Sequence, residues 1–225
     1  MNNRIILISK FLERNTKINL SAIRDEQWVY DKHIIDALTL TQFELIQPWM
    51  MVADVGTGGG RPLLALAQYY TNTNFVGIDG RRKKIEAVQA IAIESWINNV
   101  KTQRGRIEEI KWSYDIVTAR AVAYADVLLD RIHPILKPGG SMVLYKLDTE
   151  EENAIIMMRC NKNRYDITQR HHYQLMWDEQ QWNKDEFTWE RIIDLNTPWG
   201  GDEKAKRILW ILTKHRSHQQ TKKKL

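Results

Sequence analysis

The chain has 225 residues, 43% of them hydrophobic and 27% charged, with a net charge of +5, a composition typical of a globular protein with a substantial core. The single cysteine, Cys160, excludes an internal disulfide framework and a cysteine-rich zinc site, and it suits a reducing compartment. The apolar run near the N-terminus is too short to span a membrane and lacks a small-residue cleavage site, so we predict a cytoplasmic protein with no membrane segment. We also predict that the protein holds no metal.

Residues 11–45 are predicted to be helical, with a polar interruption at residues 15–25. Ser21 or Asp25 could cap the helix that follows, because short polar side chains accept hydrogen bonds from the N–H groups at a helix start. That helix has one apolar face, formed by Trp28, Val29, His33, Ile34, Ala37, Leu38 and Leu40. A lone histidine near such a face is either a hydrogen-bonded structural residue or a functional one, and Asp36 lies within its reach on the helix.

The next predicted element is a buried strand, Met51–Val55, which runs into a glycine turn and then a helix. Glycines at positions 56, 58, 59 and 60 permit positive φ and remove the Cβ atoms that would keep a ligand away from the backbone. Pro62 suits the first turn of the helix, and the N–H groups there favour a polar or anionic ligand. A glycine turn alone is weak evidence, so the flanking elements decide its meaning.

A second apolar run, residues 74–78, ends in Asp79. The offset from the glycine turn is roughly 20 residues, at which a carboxylate meets ribose hydroxyls in nucleotide-binding βαβ units. The pair of features predicts a nucleoside-containing cofactor, the alternative being a solvated aspartate at a strand end. The run of basic residues 81–84 that follows is either a solvated face or a rim that attracts a polyanion such as nucleic acid.

Strands and helices continue to alternate up to Lys146, which predicts a parallel sheet with right-handed crossovers. The predicted elements are a helix at 83–98, a strand at 100–103, a turn or short helix at 106–110, a strand at 114–118, a helix at 126–135, a turn at 137–140 and a strand at 141–145.

The pattern changes after Lys146, where we predict a helix at Glu150–Cys160, an extended segment at 165–173 and a last strand at 206–213. The tryptophan-rich stretch 177–201 has too few aliphatic residues for its own core, so it is interpreted as an insertion in a hairpin. Its tryptophans pack onto the sheet or stack on bases, and they are Trp177, Trp182 and Trp189. The chain is therefore predicted to be one domain, with a helical extension (1–49), a cofactor-binding core (50–146), a hairpin (147–214) and a basic tail (215–225).

Several motifs in this order resemble the RsmG or GidB family of small-subunit ribosomal RNA guanine-N7 methyltransferases. They are residues 15–25, ending in Asn-Leu-Ser-Ala-Ile-Arg-Asp, residues 33–38 (His-Ile-Ile-Asp-Ala-Leu), residues 54–62 (Asp-Val-Gly-Thr-Gly-Gly-Gly-Arg-Pro) and residues 118–121 (Thr-Ala-Arg-Ala). The similarity runs from about Phe11 to Lys146 and resumes at the last strand. Two positions depart from the family pattern, since Arg61 stands where an apolar residue is usual and Leu63 where a glycine is common.

The resemblance implies a class I S-adenosylmethionine-dependent methyltransferase with a Rossmann-like, mostly parallel sheet, a C-terminal antiparallel hairpin and a helical N-terminal extension. It implies S-adenosyl-L-methionine as cofactor and 16S rRNA, or the small ribosomal subunit, as the partner of a monomer. The implied cofactor-binding residues are Asp54, Gly56, Gly58, Gly60, Arg61, Asp79, Ile107, Glu108 and Arg120. The candidate substrate contacts are Asn19, Arg24, His33, Arg81, Arg82 and Lys146, and the candidates for positioning the base are Arg120, Lys146 and His33.

The residue types also bear on the mechanism. Cys160 is not in the Pro-Cys context that a covalent pyrimidine C5 mechanism needs, and the place of the Asn/Asp-Pro-Pro-aromatic turn of exocyclic-amine enzymes holds Thr118 to Ala121 instead. Guanine N7 carries an in-plane lone pair and no proton, so its methylation needs alignment and not a general base. A cation would orient the base through O6 or a phosphate.

Three function classes remain open from the sequence: the rRNA methyltransferase, a small-molecule methyltransferase or nicotinamide dehydrogenase on a similar sheet, and a catalytically silent RNA-binding protein. The dehydrogenase is disfavoured because the turn lacks the third glycine of G-x-G-x-x-G.

Overall fold

The structure, a computed structural model, describes residues 3–120, 124–160, 165–175, 192–194 and 206–215. Its centre is a sheet whose strand order is β3-β2-β1-β4-β5-β8-β6-β7. The strands are β1 (Met51–Val55), β2 (Asn74–Asp79), β3 (Val100–Arg104), β4 (Tyr114–Arg120), β5 (Leu136–Leu147), β6 (Tyr165–Leu175), β7 (Ile192–Asp194) and β8 (Lys206–Lys214). Strands β1 to β5 pair in parallel, whereas β8 runs antiparallel between β5 and β6. The predicted mostly parallel sheet with a C-terminal antiparallel hairpin is confirmed.

Helices cover both faces of this sheet. They are α1 (Asn3–Lys17), α2 (Glu26–Val29), α3 (Asp36–Leu38), α4 (Leu63–Tyr69), α5 (Arg82–Glu94), α6 (Ala125–Ile132) and α7 (Glu150–Cys160), with a π-helix at Tyr30–Ile35 and 3-10 turns at Thr39–Phe43, Ile107–Glu109 and His133–Ile135. The N-terminal helices pack with α4 and α5 in one apolar core, and α6 and α7 pack in the other. Strand β8 divides its side chains between the two, since Leu209 faces the first core and Trp210 the second. No helix in the described part of the chain is long and apolar enough to cross a membrane.

The observed bounds of β1 and α7 agree with the predicted ones. The bounds of other elements differ, in β5 because pairing with a distant strand determines where the element begins. The predicted turn at 137–140 lies within β5, because Leu136 pairs with Tyr114 across an irregularity in the β4–β5 register. Helix α5 ends at Glu94, before the predicted 98, and Trp96 then adopts a left-handed φ of 56°. Within the insertion at 177–201, β7 adds an edge strand to β6. Its tryptophans Trp177, Trp182 and Trp189 lie outside the described residues, as does most of the basic tail.

Asn15 organises the loop between α1 and α2. Its Oδ1 accepts hydrogen bonds from the N–H groups of Leu20 and Ser21, both at 2.9 Å, and its Nδ2 donates to the Ile23 carbonyl at 2.6 Å. The side chain is 1% exposed, so water cannot replace these bonds. The loop closes with Asp25, which caps α2 by accepting from the N–H of Trp28. Of the two predicted caps, Asp25 is the one that performs this role.

We expect Asn15→Ala to lower the free energy of unfolding by about 2–4 kcal/mol, because it leaves buried backbone groups of the loop without partners. Urea denaturation measures this change. The exposed neighbour Thr16 donates to the Glu13 carbonyl at 2.7 Å, and Thr16→Ala is the matched control, expected to change stability by less than about 1 kcal/mol. Equal losses for the two variants would contradict the role assigned to Asn15.

Candidate cofactor and substrate site

The carboxyl ends of β1 and β2 are joined by hydrogen bonds that fix the glycine turn. The N–H groups of Gly56 and Thr57 donate to the Ile78 carbonyl at 2.8 and 3.0 Å. The Asp79 carboxylate accepts from the Gly58 N–H at 3.0 Å through one oxygen and from the Arg81 N–H at 2.8 Å through the other. Asp79 thus holds two turns together and lies at the edge where open α/β sheets bind ligands.

A pocket of about 590 Å³ opens at this edge, a size suited to a small-molecule ligand. Five of the predicted cofactor residues line it: Gly56, Gly58, Asp79, Ile107 and Glu108. Ile107 is buried and supplies an apolar wall, and the Glu108 carboxylate forms an ion pair with Arg131 at 2.9 Å. The rim is basic, because the predicted substrate contact Arg81 and three further cations also line the pocket: Lys84, Arg106 and Arg131.

The glycines of the turn serve two different purposes. Gly58 has a φ of 54°, and a Cβ there would meet only the Gly56 carbonyl at 3.7 Å and the Lys84 Nζ at 3.8 Å, so it borders the pocket. A Cβ on Gly59 would lie 3.1 Å from Leu20, and one on Gly60 would lie 2.6 Å from Leu64. Gly59 and Gly60 therefore allow close packing of the turn on the N-terminal loop and on α4. Gly60, a predicted cofactor residue, lies outside the lining of the large pocket.

Asp54, at the end of β1, is 1% exposed and accepts a hydrogen bond from the Thr118 hydroxyl at 2.8 Å. Burial raises the pKa of this carboxyl to about 7, although the bond from Thr118 and the charge of Arg120 act in the opposite direction. Its second oxygen, Oδ2, is buried without a hydrogen-bond partner among the described residues. Asp54 is thus a buried hydrogen-bond acceptor at the end of the central strand, close to Arg120, which is also a predicted cofactor residue.

Arg61 and His33 join the glycine turn to the N-terminal helices. The Arg61 guanidinium donates to His33 Nε2 at 2.8 Å, and the Ser21 hydroxyl lies 3.4 Å from the same nitrogen. His33 is 3% exposed, and its burial, together with the charges of Arg61, Arg120 and Lys32, lowers its pKa far below the usual value. Burial and the charge of Arg120 lower the pKa of Arg61 to about 10. His33 is therefore a neutral acceptor that holds Arg61.

Asp36 follows the π-helix and is fully buried. Its Oδ2 pairs with Arg120 at 2.5 Å and with Arg207 at 3.6 Å, so α3 is tied to β4 and to β8. We predicted that Asp36 lies within reach of His33, and in the structure the two side chains contact different arginines. His33 accepts a hydrogen bond from Arg61, and Asp36 forms an ion pair with Arg120. Lys146 pairs with Glu152 at 3.2 Å and its side chain is 8% exposed.

Comparison with known proteins decides the family. Residues 2–182 match the family described as GidB: rRNA small subunit methyltransferase G. A Pelodictyon phaeoclathratiforme protein named ribosomal RNA small subunit methyltransferase G is 37% identical over 153 residues, covering 67% of each chain. A Streptococcus pyogenes protein of that name is 33% identical over 177 residues, covering 73% of each. The chain belongs to the rRNA small subunit methyltransferase G family. The predicted resemblance is confirmed.

A solved structure shows a similar fold at low sequence identity. The ribosomal protein L11 methylase of Lactobacillus delbrueckii superposes with a TM-score of 0.54 over 80% of this chain and 77% of the other, with 18% identity. At that identity the likeness concerns the fold alone, which is that of class I methyltransferases. The predicted fold class is therefore confirmed. The roles of the site residues rest on the contacts in this chain.

The remaining predicted substrate residues of this methyltransferase G family member lie at the surface. Asn19 and Arg24 are exposed and joined by a hydrogen bond of 3.1 Å, on the loop that Asn15 organises. Arg82 is exposed on α5, pairs with Glu86 at 2.6 Å and is not among the residues that line the pocket. No group of three or more metal-ligating side chains occurs in the part of the chain that the structure describes.

Sequence reasoning did not single out four residues that the fold brings to the site. Arg106 and Arg131 reach the pocket from the loop after β3 and from α6, and Arg207 and Lys32 come from β8 and the π-helix. Arg106 directly precedes the motif pair Ile107 and Glu108, which is a local signal. Arg207 carries no such signal, because its place beside Asp36 arises from the antiparallel pairing of β5 and β8.

The raised pKa of Asp54 gives a prediction for stability against pH. The folded-state pKa of about 7 exceeds the reference value of 3.8, so the folded protein binds this proton more tightly than the unfolded chain. The contribution of Asp54 to stability therefore falls as pH rises from about 4 through about 7 and levels off near pH 8. Asp54→Asn removes the titration, so its unfolding free energy relative to wild type should increase between about pH 5 and 8.

Asp115 provides the control for this measurement. Partial burial raises the pKa of its carboxyl, but the hydrogen bond from Lys137 and the backbone bond from Met51 outweigh this and lower it. The pKa of Asp115 is therefore lower in the folded protein than its reference value of 3.8, so Asp115→Asn should differ from wild type by a constant amount between about pH 5 and 8. A constant difference for Asp54→Asn as well would show that Asp54 ionises normally.

Proposed function

We propose that this protein transfers a methyl group from S-adenosyl-L-methionine to N7 of a guanine in 16S rRNA. The observation that carries the proposal is the large pocket at the carboxyl ends of β1 to β3, with the Asp79 carboxylate facing the glycine turn, in a chain of the methyltransferase G family. The proposed substrate is the rRNA itself or the small ribosomal subunit, and the protein is proposed to act as a monomer.

The residues that line the pocket fit the cofactor. Gly58 leaves the backbone open to a ligand, because a Cβ at this position would point into space that only Gly56 and Lys84 border. Asp79 places carboxylate oxygens where ribose hydroxyls could donate to them, and buried Ile107 offers an apolar surface to the adenine. Bound S-adenosylmethionine would supply an electrophilic methyl group on a sulfonium.

The chain's own residues would then align the acceptor. Guanine N7 carries a lone pair and no proton, so the site must orient the base and exclude water, and it needs no proton acceptor. His33 agrees with this requirement, because it is neutral, buried and already accepts a hydrogen bond from Arg61. Arg120 lies at the end of β4, next to Asp54, and is proposed to face O6 or a phosphate of the acceptor nucleotide. Lys146, held by Glu152, is the second such cation.

The alternatives are a small-molecule methyltransferase and a catalytically silent RNA-binding protein on the same fold. Incubation with labelled S-adenosylmethionine and small ribosomal subunits from a strain that lacks the gene distinguishes them. Label at N7 of a 16S guanine supports the proposal. Label transferred to a small molecule but not to subunits supports the first alternative, and binding of subunits without label supports the second.

The variant Gly58→Val tests the pocket. It places a branched side chain at the pocket wall and at a positive φ, which costs about 1–3 kcal/mol of backbone strain, so cofactor binding should be abolished in a protein that still folds. Calorimetry measures binding and circular dichroism checks the fold. Gly80→Ala is the matched control, since a Cβ there meets nothing within 4 Å although Gly80 also lines the pocket. Unchanged affinity in folded Gly58→Val would remove the proposed cofactor site.

The variants His33→Gln and Arg120→Ala test the absence of a base. Glutamine retains an acceptor for Arg61, so His33→Gln should keep measurable turnover, with no inflection in its pH profile that belongs to a histidine. Arg120→Ala removes a cation from the sheet edge and should lose far more activity. The mechanism would have to be given up if His33→Gln were inactive with native affinities while the wild-type rate rose with one ionisation near pH ~6.5, the reference value for histidine.

A further inference from the structure

Four cations from four separate elements lie close enough to repel one another, and we call them the basic cluster: Lys32 of the π-helix, Arg61 of the glycine turn, Arg120 of β4 and Arg207 of β8. Asp36 pairs with Arg120 at 2.5 Å and with Arg207 at 3.6 Å through the same oxygen. The two arginine side chains are 10% and 22% exposed, so the cluster is largely withdrawn from water without being closed to it.

The cations of the cluster repel one another. Burial lowers the pKa of Lys32, and the charge of Arg207 lowers it further, whereas Asp31 raises it. Burial lowers the pKa of Arg61 to about 10, with Arg120 and Arg207 acting in the same direction and Asp36 and Asp54 opposing them. Burial also raises the pKa of Asp54, so this carboxyl supplies less compensating negative charge than an exposed aspartate would. Desolvated positive charge of this kind is stabilised when an anion binds.

The position of Arg207 indicates which ligand would supply the anion. In the sheet, Arg120 pairs with Tyr145 and Arg207 with Leu147, so Arg207 lies beyond β5 and past the end of β4. The large pocket is lined by β1, β2, the loops after them and the segment after β3, together with Lys84 of α5 and Arg131 of α6. None of the four basic-cluster residues lines it. The cluster therefore lies outside the pocket proposed for the cofactor, toward β4, β5 and β8, and is available to the methyl acceptor.

We propose that Arg207 and Lys32, together with Arg61 and Arg120, bind a backbone phosphate of the RNA next to the target guanine. This inference rests on the proposed function. Guanidinium groups match phosphate oxygens with paired N–H donors, and a phosphate contact fixes the position of a nucleotide while leaving N7 of its base free to react. The hydrogen bond from Arg61 to His33 and the ion pairs of Asp36 with Arg120 and Arg207 hold three of these cations in place.

The test compares Arg207→Gln, Arg207→Lys and Lys32→Gln with wild type. An in vitro 16S rRNA transcript is titrated at several salt concentrations, and S-adenosylmethionine is titrated by calorimetry. Each glutamine variant should weaken RNA binding by about tenfold and reduce the slope of log K against log salt by about 1, while cofactor affinity stays within about twofold. Arg207→Lys retains the charge and should retain the slope. Lys32 lies over the Trp28 ring at 3.4 Å and is only partly buried, so Lys32→Gln keeps the test decisive if Arg207→Gln folds poorly.

Arg170→Gln is the matched control. Arg170 lies in the same hairpin, on β6, with its guanidinium 5.0 Å from the ring centre of Trp210, which belongs to the core on the opposite face of the sheet. It should leave RNA affinity and the salt slope unchanged. An equal loss in Arg170→Gln would overturn the inference, as would native RNA binding in both glutamine variants. A loss of cofactor affinity alone would assign the cluster to the methionine carboxylate. Failure of wild type to methylate or bind subunits would overturn the proposed function as well.

Discussion

The ion pair between Asp36 and Arg120 is the interaction on which the site's architecture depends. Asp36 is fully buried, and Arg120 reaches it from the end of β4, so the N-terminal helices are held over the carboxyl edge of the sheet. A buried ion pair contributes little net stability, since desolvation offsets most of the attraction, but breaking one partner leaves an uncompensated charge. Its consequence here is geometric, because it fixes where the helical layer sits relative to the glycine turn.

The π-helix at Tyr30–Ile35 and the residue that follows it place two side chains, His33 and Asp36, in contact with two different arginines. Single π turns within helices often occur at functional sites, where they change the direction of nearby side chains. In this chain the turn precedes Asp36 and contains His33, and the two side chains bind Arg120 and Arg61 respectively. Tyr145 supports the same segment from β5, since its hydroxyl donates to the Ala37 carbonyl at 2.7 Å. The helical layer is thus attached to the sheet edge and the glycine turn through Arg61, Arg120, Arg207 and Tyr145.

Local sequence patterns were sufficient for the parts of the fold that local physics determines. The strand Met51–Val55, the helix Glu150–Cys160 and the position of Asp79 opposite the glycine turn follow from apolar periodicity, glycine placement and a fixed offset. The residues 137–140 were misassigned as a turn because their place in β5 depends on pairing with β4. The packing roles of Gly59 and Gly60, and the arrival of Arg207 beside Asp36, likewise depend on contacts between distant segments that no local pattern encodes.

Arg61 gives the site a physical character that an apolar residue at this position would not. An apolar residue at this position would leave His33 Nε2 with only the distant Ser21 hydroxyl, whereas arginine donates to it at 2.8 Å. Arg61 also adds a positive charge close to Arg120 and Arg207. Burial lowers the pKa of Arg61, and repulsion by these two arginines lowers it further. An enzyme that used His33 to remove a proton would be impaired by this, because burial and the cations lower the pKa of His33 and make it a weak base, and Arg61 occupies its acceptor nitrogen. Methylation at guanine N7 has no proton to remove, so a site of fixed cations and a neutral histidine suits the alignment that this reaction requires.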